Sequence, residues 1–162
     1  MSSDPLDLFN DCLDTSSIND KLPIQIVSTG LRDIMVPIKS TKHLQQLDPN
    51  FSVMTELSKE QNVIGVHAFA LEEGMDNITA ICRNFAPLYD IDEESATGTS
   101  NCALACYLFK YVEKKSQYIF EQGYNLNSPS RIVVNLKTHD DMIDAVFVGG
   151  YGYLVEKKSL SV

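Results

Sequence analysis

The segment from 99 to 115 has the strongest helical pattern of the chain. Apolar residues recur in it at spacings of three and four, as on one face of an α-helix. These positions are Ala103, Leu104, Tyr107, Leu108 and Tyr111. Few polar residues interrupt the segment before its charged end, and a helix that is apolar almost all round is buried among other elements. We therefore predict a central helix that begins at Thr99 or Ser100.

Shorter apolar segments predict β-strands before and after this helix, because they alternate in polarity or are rich in branched residues. The predicted strands cover 22–30, 32–40, 63–72, 77–87, 116–123, 130–138, 144–150 and 151–157. The predicted turns between them contain Thr29 and Gly30, Gly123, Pro129, His139 and Asp140, and Gly149 and Gly150. Residues 86–98 are predicted to be a loop. The count is about eight strands, and the later ones follow each other as antiparallel neighbours.

Two short helices are predicted early in the chain, over 40–50 and 51–62, with Ser52 as a candidate cap of the second. Residues 1–20 are predicted to form an acidic N-terminal tail or a short helix, and residues 21–162 one domain. The predicted fold class is α+β, with a mostly antiparallel curved sheet wrapped around one long central helix.

Composition and charge narrow the range of functions. The 162 residues are 44% hydrophobic, which is enough for one domain with a core. Acidic residues number 22 against 13 basic ones, a formal net charge of -9. Such a surface repels phosphate backbones and anionic lipids, so we expect no nucleic acid and no membrane partner. The apolar runs are too short to span a bilayer, and the N-terminus lacks a signal-peptide pattern, so we expect a cytoplasmic protein.

Cysteine and histidine residues do not suggest a metal site. The spacing of Cys12, Cys82, Cys102 and Cys106 fits no zinc pattern. Cys102 and Cys106 share one helix face, where paired cysteines are usually small core residues. His67 alternates within a predicted strand, so we interpret it as a packed or surface residue and not as a catalyst.

The start of the predicted helix carries the candidate chemistry. The segment TGTS at 97–100 places a glycine and three hydroxyls where a helix exposes unpaired N–H groups and its positive dipole end. This arrangement suits a carboxylate or phosphate. Glu93 and Glu94 lie just before it, and a carboxylate there is a candidate acid or base. The alternative is that Thr99 or Ser100 only caps the helix and the glutamates favour its dipole.

The same region resembles a known family. The segment "RNFAPLYDIDEESATGTSNCALACYL" is similar to the R-x-F-A-P and E-D-P-A-T-G-S motifs of the phenazine-biosynthesis PhzF-like family, which precede an apolar helix. Four further segments match that family in order, and the five together cover most of the chain from 22 to 155. These four are "LPIQIVSTGLRDIMVPIKS", "VIGVHAFA", "QGYNLNSPSRIVV" and "DAVFVGGYGYLV".

The resemblance implies a diaminopimelate-epimerase-like fold, in which two similar domains face each other across a cleft. It also implies cofactor-free isomerisation, with a carboxylate that takes a proton from carbon, and therefore no metal, flavin, nicotinamide or pyridoxal phosphate. Residues 21–162 resemble the second, C-terminal domain. The first domain of the family supplies the general base, and residues 1–20 cannot hold it. We therefore expect a homodimer or a separately encoded first domain as partner, as in a split or truncated gene.

Residue by residue, the resemblance assigns catalytic roles to Glu94, in place of the family's aspartate, and to Thr99, in place of its serine. The expected substrate-binding residues are Ser95, Thr97, Gly98 and Ser100. Ser95 replaces a proline and loosens the loop, and Ser128 replaces an arginine and removes a cation. The expected substrate is a small anionic metabolite. The alternatives are a non-catalytic module that binds a small acid or a protein, or a remnant without function.

Overall fold

A computed structural model of the protein describes residues 10–72, 77–152, 154 and 156–159. Eight β-strands and three α-helices are bounded within them. The strands are β1 (Gln25–Ser28), β2 (Arg32–Ile38), β3 (Gly65–Leu71), β4 (Ala80–Ala86), β5 (Ile91–Glu94), β6 (Gln117–Gln122), β7 (Ser130–His139) and β8 (Met142–Gly150). The helices are α1 (Thr41–Gln46), α2 (Phe51–Gln61) and α3 (Gly98–Tyr111).

The strands form a single sheet that curls around α3. Its order is β1-β2-β3-β4-β6-β7-β8, and β5 pairs with β4 off that path. The pairs β2–β3 and β4–β6 are parallel, whereas the other five pairs are antiparallel. Helix α3 contacts β1 and β2 at one end of the order and β7 and β8 at the other. The predicted fold class, a mostly antiparallel curved sheet around a central helix, is confirmed.

The central helix is buried as predicted, but its ends differ. It begins at Gly98, because Thr97 has extended backbone angles and is the N-cap residue. It ends at Tyr111, four residues before the predicted end. Beyond that end, the hydroxyl of Tyr118 accepts from the Lys115 N–H (3.1 Å) and donates to a nearby carbonyl, which leads the chain into β6.

Three other sequence predictions are wrong in detail. The cap of α2 is Asn50, whose side chain accepts from the Val53 N–H, and not Ser52. The predicted loop 86–98 contains strand β5. Gly149 and Gly150 continue β8, because both remain paired with β7. The strand predicted over 151–157 falls partly outside the described residues, and its described residues belong to no strand.

Two apolar clusters lie on the two faces of the sheet, as the alternation of side chains along β2 shows. Ile34 and Val36 pack on the outer face, with residues of α1 and α2. Met35 packs on the inner face, where Leu104 of α3 is fully buried. Cys12 and Leu13 belong to the outer cluster, and the domain boundary near residue 20 stays a prediction.

The cysteines are core residues. All four are free thiols, and three of them, Cys12, Cys82 and Cys102, are buried. Burial raises the pKa of Cys12 to about 12 and raises that of Cys82 as well, so both stay protonated. Among the described residues there is no cluster of three metal-ligating side chains, and no helix is long and apolar enough to cross a bilayer.

Candidate functional site

The two adjacent glutamates of β5 point to opposite faces of the sheet. On the outer face, Glu93 accepts from Arg83 Nε (2.9 Å) and Nη2 (2.8 Å). Arg83 also donates to the carbonyls of Leu44 (3.1 Å) and Leu47 (2.8 Å), which ties α1 to the sheet. Both side chains of this ion pair are 8% exposed. Glu93 is therefore committed to holding the fold together.

Glu94 faces the inner side, where α3 begins. Its carboxylate oxygen Oε2 accepts from the Thr97 hydroxyl and, at 3.5 Å, from Asn84 Nδ2. Its backbone carbonyl accepts from Gln122 Nε2 at 2.8 Å. The side chain is half-buried, and none of the ion pairs in the described part of the chain includes it. Glu94 is thus positioned by neutral donors alone.

A hydrogen-bond network ties the start of α3 to β6. The Thr97 hydroxyl donates to Glu94 and accepts from Gln122 Nε2 at 3.0 Å. The Asn101 side chain is fully buried, and its Nδ2 donates to the Thr97 carbonyl (2.8 Å) and to Gln122 Oε1 (2.9 Å). These bonds hold the first turn of the helix rigidly against the strand that carries Gln122.

A second carboxylate lies behind the helix start. Asp33 of β2 is 1% exposed and accepts from the Ser100 hydroxyl at 2.8 Å. Burial raises the pKa of Asp33, the Ser100 hydrogen bond opposes this effect, and the nearby charge of Glu94 adds to it. The hydroxyl of Ser100 therefore points inward, so only the backbone of this residue remains for a ligand.

The solvent-facing side of the start of α3 borders an open groove. Gly98 lines it together with Ser130 and Arg131 of β7 and Val148 of β8. A Cβ atom at Gly98 would meet the Val148 methyl groups at 3.7 Å, which is ordinary contact. Arg131 also lines this groove, but its guanidinium is paired with Glu121, whose Oε1 accepts from Nε (2.9 Å) and Nη2 (2.5 Å).

Ser95 and Thr99 lie on either side of Gly98 in the chain and make different contacts. The Ser95 carbonyl accepts from the Ser130 hydroxyl at 2.6 Å, which holds the loop before the helix against β7. Thr99 is exposed, and its carbonyl accepts from the Thr29 hydroxyl at 3.3 Å. Of the three hydroxyls at 97–100, only that of Thr99 faces solvent.

His67 is a packed residue, which is one of the two interpretations that the alternating pattern left open. It is fully buried, and its Nδ1 lies 2.9 Å from Asn84 Oδ1. Burial lowers the pKa of His67 to about 4, and the hydrogen bond to Asn84 opposes that effect. The imidazole is therefore neutral at pH 7.

The structure brings Glu94, Thr97 and Ser100 into one polar layer, and places Gly98 and Thr99 on its solvent side. Sequence reasoning missed the other members of this layer, which are Asp33, Asn84, Asn101 and Gln122. The available signal was a polar residue at an inward position of an otherwise apolar strand, as at Asp33 two residues before Met35. The catalytic and binding roles of these residues stay predictions.

Comparison with known proteins places this site in context. Residues 1–158 match the family described as phenazine biosynthesis-like protein, PhzC-PhzF. An uncharacterized isomerase of Clostridium acetobutylicum is 35% identical over 123 residues, which are 68% of this chain and 41% of that protein. An uncharacterized isomerase of Deinococcus radiodurans is 32% identical over 134 residues, 80% of this chain and 42% of that protein. The trans-2,3-dihydro-3-hydroxyanthranilate isomerase of Pseudomonas aeruginosa is 26% identical over 132 residues, 80% of this chain and 45% of that protein.

Solved structures share the fold. A PhzF-family phenazine biosynthesis protein of Bacillus anthracis has a TM-score of 0.74 at 23% identity, over 91% of this chain and 56% of that one. A predicted epimerase of Pseudomonas aeruginosa has a TM-score of 0.63 at 21% identity, over 97% of this chain and 55% of that one. The chain spans less than half the length of these curated relatives.

Proposed function

Because the chain belongs to the PhzC-PhzF family of phenazine biosynthesis-like proteins, we propose that it forms one half of an isomerase or epimerase site. The site acts on a small carboxylate-bearing metabolite by proton transfer at carbon, without a cofactor. The observation that carries this proposal is Glu94, a half-buried carboxylate that only neutral donors hold beside the start of a buried helix.

The helix start is the binding part of this proposal. The first N–H groups of a helix have no partner within it, and the positive dipole end favours an anion. The N–H groups at 98–100 would hold the substrate carboxylate. The exposed Thr99 hydroxyl borders the bound group.

Glu94 is the proton-transfer group of the proposal. The hydrogen bonds from Thr97 and Asn84 both reach its Oε2, so Oε1 is the oxygen that would face a substrate carbon. A general base works within about 2.6–3.2 Å of the atom that loses the proton. The proposed second wall supplies the other proton-transfer group. Glu94 Oε1 takes a proton from carbon and returns it to a different carbon, or the group on the second wall delivers a proton to the opposite face of the same carbon.

A second wall completes the proposed cleft. We propose that a separately encoded first domain, or a second copy of this chain, provides it. Exposed apolar side chains lie on β8 and just after it, beside the groove. They are Phe147 (58% exposed), Val148 (49%), Tyr151 (84%) and Leu154 (83%). A facing domain would remove this apolar surface from water, which favours association.

A non-catalytic module that binds a small acid is the second candidate. The observation that favours it is that the Thr97 and Ser100 hydroxyls donate to Glu94 and Asp33 inside the protein, so neither is free to donate to a substrate. Such a module would bind anions at the helix start without moving protons.

Solvent-deuterium incorporation separates the two candidates. Candidate 2,3-dihydro-3-hydroxy acids and amino acids are incubated with the protein in D₂O, and sedimentation is measured in parallel. The proposal expects exchange by a dimer or by a complex with a first domain, and loss of exchange in Glu94→Gln. Exchange by a monomer that depends on Glu94 would contradict the need for a second wall. Absence of exchange in every assembled species would favour the binding module.

Anion binding has its own test. We expect a small dicarboxylate or sulfate to perturb the backbone amide signals of 98–100 in NMR titrations, more weakly at high salt. Perturbation confined to other residues would count against a site at the helix start. Lys110→Gln, which removes a cation at the other end of the same helix, should leave these perturbations unchanged and serves as the control.

A further inference from the structure

Three side chains form a row across the inner face of the sheet behind Glu94. His67 of β3 is the register partner of Asn84 of β4, and Asn84 is the register partner of Glu94 of β5. The His67 Nδ1 to Asn84 Oδ1 distance is 2.9 Å, and the Asn84 Nδ2 to Glu94 Oε2 distance is 3.5 Å. The row therefore leads from a fully buried imidazole to the half-buried carboxylate beside the start of α3.

The direction of these hydrogen bonds follows from the chemistry of the groups. An ionised carboxylate only accepts, so Asn84 must turn its Nδ2 towards Glu94. Its Oδ1 then faces His67 and needs a donor. Because a neutral imidazole carries one N–H, the proton of His67 must reside on Nδ1.

The surroundings of the other ring nitrogen agree with this assignment. His67 Nε2 is buried without a hydrogen-bond partner, and so is Asn101 Oδ1. Asn101 cannot turn its amide towards His67 as a donor, because its Nδ2 is committed to Thr97 and Gln122. A proton on Nε2 would therefore have no acceptor within hydrogen-bond distance, whereas a proton on Nδ1 has Asn84 Oδ1 at 2.9 Å.

We propose that His67 and Asn84 are positioning residues for Glu94. His67, as the Nδ1–H tautomer, fixes the Asn84 amide so that its Nδ2 holds the Glu94 carboxylate as an acceptor, ready to take a proton. This inference deepens the proposed function and rests on it for the role of Glu94. The tautomer itself is independent of any activity.

The other groups that face this row do not supply a hydrogen-bond donor to Asn84 Oδ1. Asp33 of β2 lies near Glu94 and receives the Ser100 hydroxyl from α3. Gln122 of β6 uses its Nε2 for the Glu94 carbonyl and for Thr97. Arg83, the nearest cation along β4, points to the outer face and pairs with Glu93. Besides the contact with Glu94, the side-chain hydrogen bond that holds the Asn84 amide in this orientation therefore comes from His67.

Ring nitrogen NMR of the ¹⁵N-labelled full chain tests the tautomer directly. At pH 7 we expect His67 to be neutral with the proton on Nδ1, whereas the exposed His139 serves as an internal reference. In Asn84→Ala the acceptor for Nδ1 is gone, so we expect the proton to move to Nε2, towards Asn101 Oδ1. Asn135→Ala, an asparagine on β7 outside the site, should leave the signals unchanged.

Two outcomes would overturn the proposal: a wild-type His67 protonated on Nε2, or a tautomer that Asn84→Ala does not change. The wild-type measurement decides the matter even if the variant fails to fold.

A pair of His67 variants tests the effect on Glu94. His67→Asn retains an N–H donor close to the position of Nδ1, whereas His67→Leu has none. In an assembly that exchanges substrate hydrogen, we expect His67→Leu to lower kcat by roughly tenfold at unchanged KM, because Asn84 loses the partner that holds its amide towards the charged Glu94. We expect His67→Asn to restore most of the rate. Equal loss in both variants would show a packing role only and would overturn the inference. Absence of exchange in every assembly would overturn the proposed function but leave the tautomer result standing.

Discussion

Strands β4 and β5 make a side-chain contact to a glutamate on each face of the sheet, and the two contacts differ in kind. On the outer face Arg83 and Glu93 form a bidentate ion pair, in which each side chain is 8% exposed. On the inner face the next residue of β4 is Asn84 and the next residue of β5 is Glu94. The neutral Asn84 amide donates to the Glu94 carboxylate in one long hydrogen bond of 3.5 Å. A buried carboxylate with a matched cation is fixed in its charge and place, whereas one held by neutral donors keeps its proton chemistry available.

The comparison shows how one dipeptide serves two purposes. Because successive side chains of a strand alternate between faces, Glu93 and Glu94 enter separate environments although they are neighbours in the chain. Glu93 secures the sheet to α1 through Arg83, whose guanidinium also binds the Leu44 and Leu47 carbonyls. The rigid outer face therefore supports the position of the inner carboxylate.

The largest expected effect is the loss of the outer ion pair. Arg83→Ala leaves Glu93 as a buried carboxylate without a cation, and two carbonyls without a donor. We expect a loss of about 3–5 kcal/mol in the free energy of unfolding, measured by urea denaturation. The matched control is Arg131→Ala, which removes another Arg–Glu pair whose arginine side chain is 43% exposed. That loss should stay below about 1 kcal/mol, and equal losses would contradict the distinction.

The second-largest expected effect is a truncation in the inner apolar cluster. Leu104 is fully buried in the inner cluster, so Leu104→Ala should lower the free energy of unfolding by about 2–5 kcal/mol. The control is Val112→Ala, just beyond the helix end, where the side chain is 46% exposed and a change within about 0.5 kcal/mol is expected. A change within error for Leu104→Ala would refute the central position of α3.

Asp33→Asn is expected to raise the stability of the folded protein, by less than the losses above. Burial raises the pKa of Asp33, so the folded protein holds this proton more tightly than the unfolded chain does. Ionised Asp33 therefore lowers stability above its raised pKa, and this penalty disappears as the pH falls below the ordinary value of about 3.9. The neutral amide avoids the penalty and still accepts from Ser100.

Thermal unfolding at several pH values checks this prediction. At pH 7 the Asp33→Asn variant should unfold on the order of 2 °C above wild type, and the difference should vanish near pH 3. Asp92→Asn, an exposed carboxylate on β5, should show no such pH-dependent gain. A lower unfolding temperature at pH 7 would mean that Asp33 is stabilising in its ionised form.

The smallest expected effect on stability belongs to Glu94 itself. Its partners are neutral and its side chain is half-buried, so Glu94→Gln should change the free energy of unfolding by less than about 1 kcal/mol. The same variant is expected to abolish substrate exchange. A loss of stability as large as that of Arg83→Ala would make Glu94 a structural residue and remove the contrast between the two faces.

Local pattern explains which parts of the molecule could be predicted. Apolar spacing over 99–115 identified α3, and alternating segments identified seven of the eight strands, because periodicity depends on the sequence alone. Strand β5 was missed, since "IDEE" has no apolar alternation and is held by pairing to β4. The end of α3 was placed too late, because the contacts of Tyr118 and not helix propensity determine where the chain leaves it.

The candidate site divides in the same way. Sequence by itself determined the glycine-led helix start and the carboxylate at Glu94, because motif and spacing carry that information. Only the tertiary structure decided that Glu93 forms an ion pair with Arg83 and that the Ser100 hydroxyl donates to Asp33. The contact between His67 and Asn84 was also decided there. Those contacts join residues up to 67 positions apart, and no local pattern encodes which distant strands become neighbours when the sheet curls around its helix.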